Sequence, residues 1–164
     1  MIKCLQTFFK KFLLPILILC VFISSCREID LYEKNISVLN MQWYNNYNAE
    51  GSFIITDTSS TYNILLVLRH TDAYFYNNIW LNVGLQAPGD TMLKFQKINI
   101  SLGNDASGWE GVGMNDIWEV RKLISGTPKK FIKPGEYKFS IVQLMRDNPL
   151  LHIISVGISV QKAN

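Results

Sequence analysis

The chain has 164 residues, 48% of them hydrophobic, a formal charge of +3 and three cysteines. That length holds one domain of ordinary size. The charge argues against nucleic-acid binding, because Lys3, Lys10 and Lys11 carry the whole surplus and the side chains from residue 26 onward balance.

The chain opens with those lysines and the apolar run FLLPILILCVFI from Phe12 to Ile23. A spanning helix needs about 20 apolar residues, so this run is too short for an anchor and fits the core of an export signal. Ile23, Ser24 and Ser25 then precede Cys26, an order that resembles a bacterial lipoprotein cleavage box. The resemblance implies cleavage before Cys26 and acyl chains on its thiol and its new amino group, enough for durable attachment to a bilayer. The expected layout is a signal peptide at 1–25, a lipidated tether at 26–34 and a single domain at 35–164. Cys4 and Cys20 leave with the signal and Cys26 is consumed by lipid, so disulfides and cysteine-based metal sites are excluded from the mature chain. Arg27, in place of Asp, favours sorting to the outer membrane. Glu28 and Asp30 partly resemble an acidic surface-export segment, which leaves the periplasmic and surface sides both open.

Beyond the tether the sequence reads as strands. A first covers Ile36 to Trp43 and a second Phe53 to Thr56, followed by a polar turn from Asp57 to Thr61. Tyr62, Ile64, Leu66 and Leu68 then alternate with Asn63, Leu65, Val67 and Arg69. From Ile79, the apolar Ile79, Leu81, Val83 and Leu85 alternate with Trp80, Asn82 and Gly84. Pro88-Gly89-Asp90 turns the chain into a strand over Met92 to Leu102. An irregular stretch with four glycines runs from Gly103 to Asn115. In it Trp109 either plugs the end of the domain or stands exposed. Strands over Ile117 to Ile124, Glu136 to Ile141 and His152 to Val160 complete seven or eight. One-sided strands in this number predict an all-β, antiparallel β-sandwich, jelly-roll-like or related, with a closed barrel as the alternative.

Catalytic signatures are missing. His70 and His152 fall in no metal-ligand spacing, and no nucleophile elbow, phosphate loop or dinucleotide fingerprint occurs. No catalytic residue, metal or cofactor is expected. Asp105, Glu110 and Asp116 surround the glycine-rich stretch, but their spacing matches no calcium loop. The candidate contact residues are Arg69, His70, Tyr74, Tyr76, Trp80 and Trp109, near Phe75 and Trp118. Exposed, they form a protein-binding patch or a sugar-stacking platform; covered, they are core. Arg146-Asp147 is expected to form a local ion pair in a tight connection.

The chain resembles the GldH gliding-motility lipoproteins of Bacteroidota. The likeness runs through the cleavage box, DLYE at 30–33, FIITD at 53–57 and the YNILLVLRH segment ending at His70. It continues in IWL at 79–81, GWEGVG at 108–113, PGEYKF at 134–139, QLMRDNPL at 143–150 and VGI at 156–158. The resemblance implies a non-enzymatic envelope lipoprotein needed for gliding, associated with machinery that also supports type IX secretion and adhesin movement. Its implied partners are the membrane, through Cys26, and other envelope or motility proteins. A surface glycan-binding role is the alternative. It also implies a glycan acceptor of this phylum's Asp-Ser/Thr-aliphatic kind at Asp90-Thr91-Met92.

Overall fold

The computed structural model describes residues 31–163. The export signal, the cleavage box and Cys26 lie outside the described residues. The strands are β1 (Leu31–Ser37), β2 (Gln42–Trp43), β3 (Ala49–Ile55), β4 (Thr61–Thr71), β5 (Asn78–Gln86), β6 (Lys94–Ser101) and β7 (Gly103–Asn104). They continue as β8 (Gly108–Trp109), β9 (Val112–Met114), β10 (Ile117–Leu123), β11 (Lys129–Lys130), β12 (Gly135–Gln143), β13 (Leu150–Leu151) and β14 (Ile153–Lys162). One short 3-10 turn, Leu39–Met41, separates β1 from β2.

Two antiparallel sheets face each other. One has the order β1-β14-β4-β10-β9, with β11 also paired to β4; the other is β3-β12-β5-β6. No ladder joins the two, so the molecule is a β-sandwich and not a closed barrel. The sheets are built by the alternation visible in the sequence: Tyr62, Ile64, Leu66 and Leu68 of β4 are buried, as are Ile79 and Leu81 of β5. They meet Val156, Ile158 and Val160 of β14 and Phe139 and Ile141 of β12 in one continuous core. At its centre Phe53 stacks on Tyr137 at 5.6 Å and meets Phe131 edge-on at 5.7 Å. Such ring pairs contribute about 1 kcal/mol each beyond the area they bury.

Two boundaries differ from expectation. The first strand starts at Leu31, inside the segment assigned to the tether, because residues 31–37 pair with β14. The stretch from Gly103 to Asn115 is not irregular: β7 pairs β8, and β9 pairs β10.

The outer face of the first sheet explains why β14 is buried on both sides. Its outward row is Ser155, Gly157 and Ser159, all small, with both serines buried. Arg121 of β10 lies beside Val67, Val67 beside Gly157, and Gly157 beside Asn35 of β1. The Arg121 guanidinium reaches across that row to Glu33 on β1 and donates two hydrogen bonds, at 2.7 and 3.0 Å. Glu119 joins the network, accepting from Arg121 at 2.7 Å and from Arg69 at 2.6 Å. Val67, the cross-strand neighbour of Arg121, is 1% exposed, while the arginine's charged head stays at the surface. The Arg121 hydrogen bond holds the Glu33 carboxyl below its ordinary pKa.

Candidate functional site

The register gives the sandwich two unlike ends. β1 enters at Leu31, beside Gln161, and finishes at Ser37, beside Ser155. The entry end collects residues 56–60, 87–93 and 124–134. The far end collects residues 38–48, 72–77, 102–116 and 144–152. Between them β4 runs 11 residues, or about 36 Å at 3.3 Å per residue.

The far end holds an aromatic cluster. Trp109 meets His70 edge-on, with ring centres 4.6 Å apart, and lies 6.3 Å from Tyr74. Tyr74 contacts Tyr76 at 5.9 Å, and Tyr76 contacts Phe75 at 5.3 Å and 84°. The rings grade outward from the core. His70 is fully buried and Tyr74 nearly so, Tyr76 and Trp109 are half-buried, and Phe75 is 87% exposed. A cavity of ≈ 460 Å³ lies against the cluster, bounded by Phe75, Tyr76, Asn77, Asp105 and Trp109 among others.

Neighbouring loops are fixed to this cluster by polar bonds. The Tyr76 hydroxyl donates to Asp147 Oδ2 at 2.8 Å, tying residues 72–77 to 144–149. That bond, and not an ion pair with Arg146, is where the Asp147 carboxylate is engaged. Gln143, fully buried, organises the same loop. Its Nε2 donates to the carbonyls of Trp43 (3.3 Å) and Asp147 (3.1 Å), and its Oε1 accepts from the Met145 amide at 2.7 Å. Gln143 was not among the candidates, and a lone glutamine at a strand end gives no sequence signal for such a role. The exposed Phe75, also unranked, was legible only as a member of its aromatic run.

The predicted contact residues therefore divide. Tyr76 and Trp109 share the far end, with the unranked Phe75 beside them. His70 and Tyr74 share it too, but buried, so of the two alternatives they take the covered one. His70 follows the inward alternation of β4 and is roofed by Trp109. Arg69 points to the opposite face, because neighbours on a strand do, and is held by Glu119. Trp80 is 45% exposed on the outer face of the second sheet, with Asn99 as its cross-strand neighbour. No ring contact joins it to the cluster among the described residues. Trp118 lies over Gly113 in the β9–β10 hairpin. Asp105, Glu110 and Asp116 form no metal-holding group among the described residues. Glu110 instead accepts from Lys122, and from Ser101 at 2.6 Å.

Burial lowers the pKa of His70, against a smaller opposing effect of the Thr71 carbonyl, 2.8 Å from Nδ1. The ring is therefore neutral, with Nδ1 carrying the proton toward Thr71. A folded pKa below the unfolded value, about 6.5, fixes the sign. Above that pH neither state is protonated and the contribution is complete. As pH falls through 6.5 the unfolded chain takes a proton that the folded chain refuses, and stability drops toward the folded pKa. Urea unfolding between about pH 7.5 and 5.5 should show this loss. A His70→Phe variant should show a flatter profile there, since the carboxylates stay charged in both states across that window.

The profile of the GldH lipoproteins matches residues 30–160. The chain belongs to the GldH lipoprotein family. It is 24% identical over 151 residues to the gliding motility lipoprotein GldH homolog of Christiangramia forsetii, covering 88% of this chain and 91% of that protein. It is 26% identical over 133 residues to gliding motility lipoprotein GldH of Flavobacterium johnsoniae, covering 81% and 80%. Among solved structures, the infectious bursal disease virus VP2 subviral particle matches with a TM-score of 0.30 and 15% identity. That match covers 82% of this chain and 34% of the viral one, and a likeness at that level carries no argument.

In this GldH family member the sequence pieces that carried the resemblance have structural duties. In GWEGVG, Trp109 roofs His70, Glu110 binds Lys122, and Gly111, at φ +93, sits so close to Glu119 that a Cβ would lie 2.1 Å from its carbonyl oxygen. In VGI, Gly157 permits the close approach of β1. Trp109 thus belongs to the far end, whereas Gly157 lies mid-strand, beside Val67 and Asn35.

Proposed function

We propose that the chain is a lipid-anchored component of the gliding-motility apparatus that works through protein contacts made by its far end, with no chemical step of its own. The relatives are named as gliding motility lipoproteins, and the family is one of lipoproteins. Cys26 is the proposed site of acylation, and the outer membrane the proposed location, on the strength of Arg27 following the cysteine. Association with type IX secretion belongs to the same proposal.

One observation carries the contact surface. Among the described residues the most exposed aromatic ring, Phe75, stands on a cluster braced by Tyr76, Trp109 and Asp147, at the end opposite to the one where β1 enters at Leu31. Exposed aromatics on a rigid base suit the centre of a protein interface, because little side-chain freedom is lost on binding. A lipid at one end and a contact surface about 36 Å away would hold that surface clear of the headgroups.

Site-specific photocrosslinking in intact cells tests the reading. A crosslinker at Phe75 should give adducts with motility or secretion proteins, identified by mass spectrometry, whereas one at the exposed Ile54 on β3 should not. Equal labelling at both positions, or none at Phe75, would remove the support for a contact at the far end. A second reading is favoured by the cavity beside Phe75, where Asn77, Asn104 and Asp105 mix polar groups with rings as a sugar site would. Under it, soluble envelope polysaccharide should bind the protein, and Trp109→Ala should abolish the binding.

A further inference from the structure

We propose that the entry end of the sandwich is a docking surface for anionic phospholipid, with Lys129 and Lys130 on headgroup phosphates and Ile132 and Met92 among the headgroups. This rests on the lipid anchor at Cys26.

Chain geometry brings this end to the bilayer. Five residues lead from Cys26 to Leu31, a reach of at most about 18 Å. Leu31 pairs with Gln161 and Gln161 with Asn63; one row along, Lys162 pairs with Tyr62 and Tyr62 with Lys129. Lys129 is thus three strand spacings across the sheet from the point where the chain enters, about 14 Å.

Charge then selects this end over the other. Asp90 is shared by Lys94 and Lys133, each at 3.1 Å, which leaves one positive charge over. Lys162 pairs with Asp57. Lys129 and Lys130 are exposed and form no ion pair among the described residues. The far end has the opposite sign: Asp72, Asp105 and Asp116 are exposed and form no ion pair among the described residues, while the exposed Arg146 and Asp147 cancel. An anionic surface attracts the first set and repels the second, at about 1 kcal/mol per charge close to the headgroups.

Apolar surface agrees with charge. Ile132 is 80% and Met92 75% exposed, both on loops of this end. Beside the lysines lies a crevice of ≈ 350 Å³ walled by Val83, Leu85, Ile98, Ile124 and Phe131, with Lys129 and Lys130 also lining it. Aliphatic side chains between lysines, next to an apolar crevice, make an interfacial surface: the lysine stems lie on apolar groups while the ammonium heads reach phosphate.

The mature chain has no thiol besides Cys26, whose sulfur carries the lipid, so one introduced cysteine can be labelled cleanly. The full lipidated protein, carrying Ile132→Cys or Phe75→Cys with a fluorophore, is reconstituted into vesicles of phosphatidylethanolamine and phosphatidylglycerol containing a headgroup nitroxide. Flotation is measured on the same samples. The expected result is flotation of both proteins, with quenching several-fold stronger at 132 than at 75. The difference should be lost in phosphatidylcholine vesicles, at high salt, and in the Lys129→Glu/Lys130→Glu background. Both lysines are exposed on a two-residue strand, and circular dichroism checks that the fold is kept. Flotation with equal quenching, with stronger quenching at 75, or with a difference indifferent to charge reversal overturns the docking surface and leaves the anchor standing. Failure to float overturns both.

Discussion

Replacing Gly157 with alanine should cost about 3 kcal/mol of folding stability, a large loss for adding one methyl group. A Cβ at this position would sit 1.9 Å from the Lys34 carbonyl oxygen and 2.8 Å from the Asn35 Cα. Those are backbone atoms of β1, so no rotamer change relieves the collision. The β1–β14 ladder must shift or open, and with it the strand that joins the anchor to the sandwich. Gly89 supplies the control. Its φ is +81 but nothing lies within 4 Å of an added Cβ, so Gly89→Ala should cost only about 1 kcal/mol, from backbone strain alone. Equilibrium urea unfolding of the two variants checks the difference. Equal costs would contradict the close approach of β1.

The second large effect is expected at Gln143. A leucine there keeps the volume but removes three hydrogen bonds, leaving the Met145 amide and the Trp43 and Asp147 carbonyls to find other partners. Orphaned buried polar groups cost about 1–3 kcal/mol each, and partial relaxation makes about 3 kcal/mol the expected total for Gln143→Leu. The loss should be local as well as global. Hydrogen exchange at the Met145 amide should accelerate more than exchange in β14, because residues 144–149 lose their internal brace and then the Tyr76–Asp147 bond. Unchanged protection at Met145 would show that the loop is held by something other than Gln143.

Alternation made β4 and β5 readable: their inward residues, and the outward Trp80, follow directly from period two. The same rule places His70 inward, yet at the end of a strand an inward residue can be either open or covered. The cover comes from Trp109, 39 positions later in the chain, through a contact that no local pattern encodes. β14 illustrates a second limit. Ser155, Gly157 and Ser159 are small or polar, with nothing local to mark them as buried, yet the Arg121–Glu33 bridge, between residues 88 positions apart, crosses the sheet at Gly157 and Ser159. Glycines hid the short strands β7, β8 and β9, since a residue without a side chain carries no alternation. The opening strand was obscured by Glu33, Lys34 and Asn35, which give β1 the polarity of a tether although it pairs with β14 along its whole length. The aromatic run at 74–76 announced a site but not its order. Only the fold separates Tyr74, which supports, from Phe75, which faces outward.

The claim that the far end is the working surface is tested most directly by complementing a deletion strain with two single-residue variants. Phe75→Asp places a charge on the exposed ring position, and Ile54→Asp does the same on the exposed outer face of β3. Both positions are exposed, so both proteins should fold and reach the envelope at wild-type levels, as immunoblotting of membrane fractions would verify. Colony spreading on agar should be restored by Ile54→Asp and lost with Phe75→Asp. Full spreading with Phe75→Asp at wild-type abundance would contradict the account.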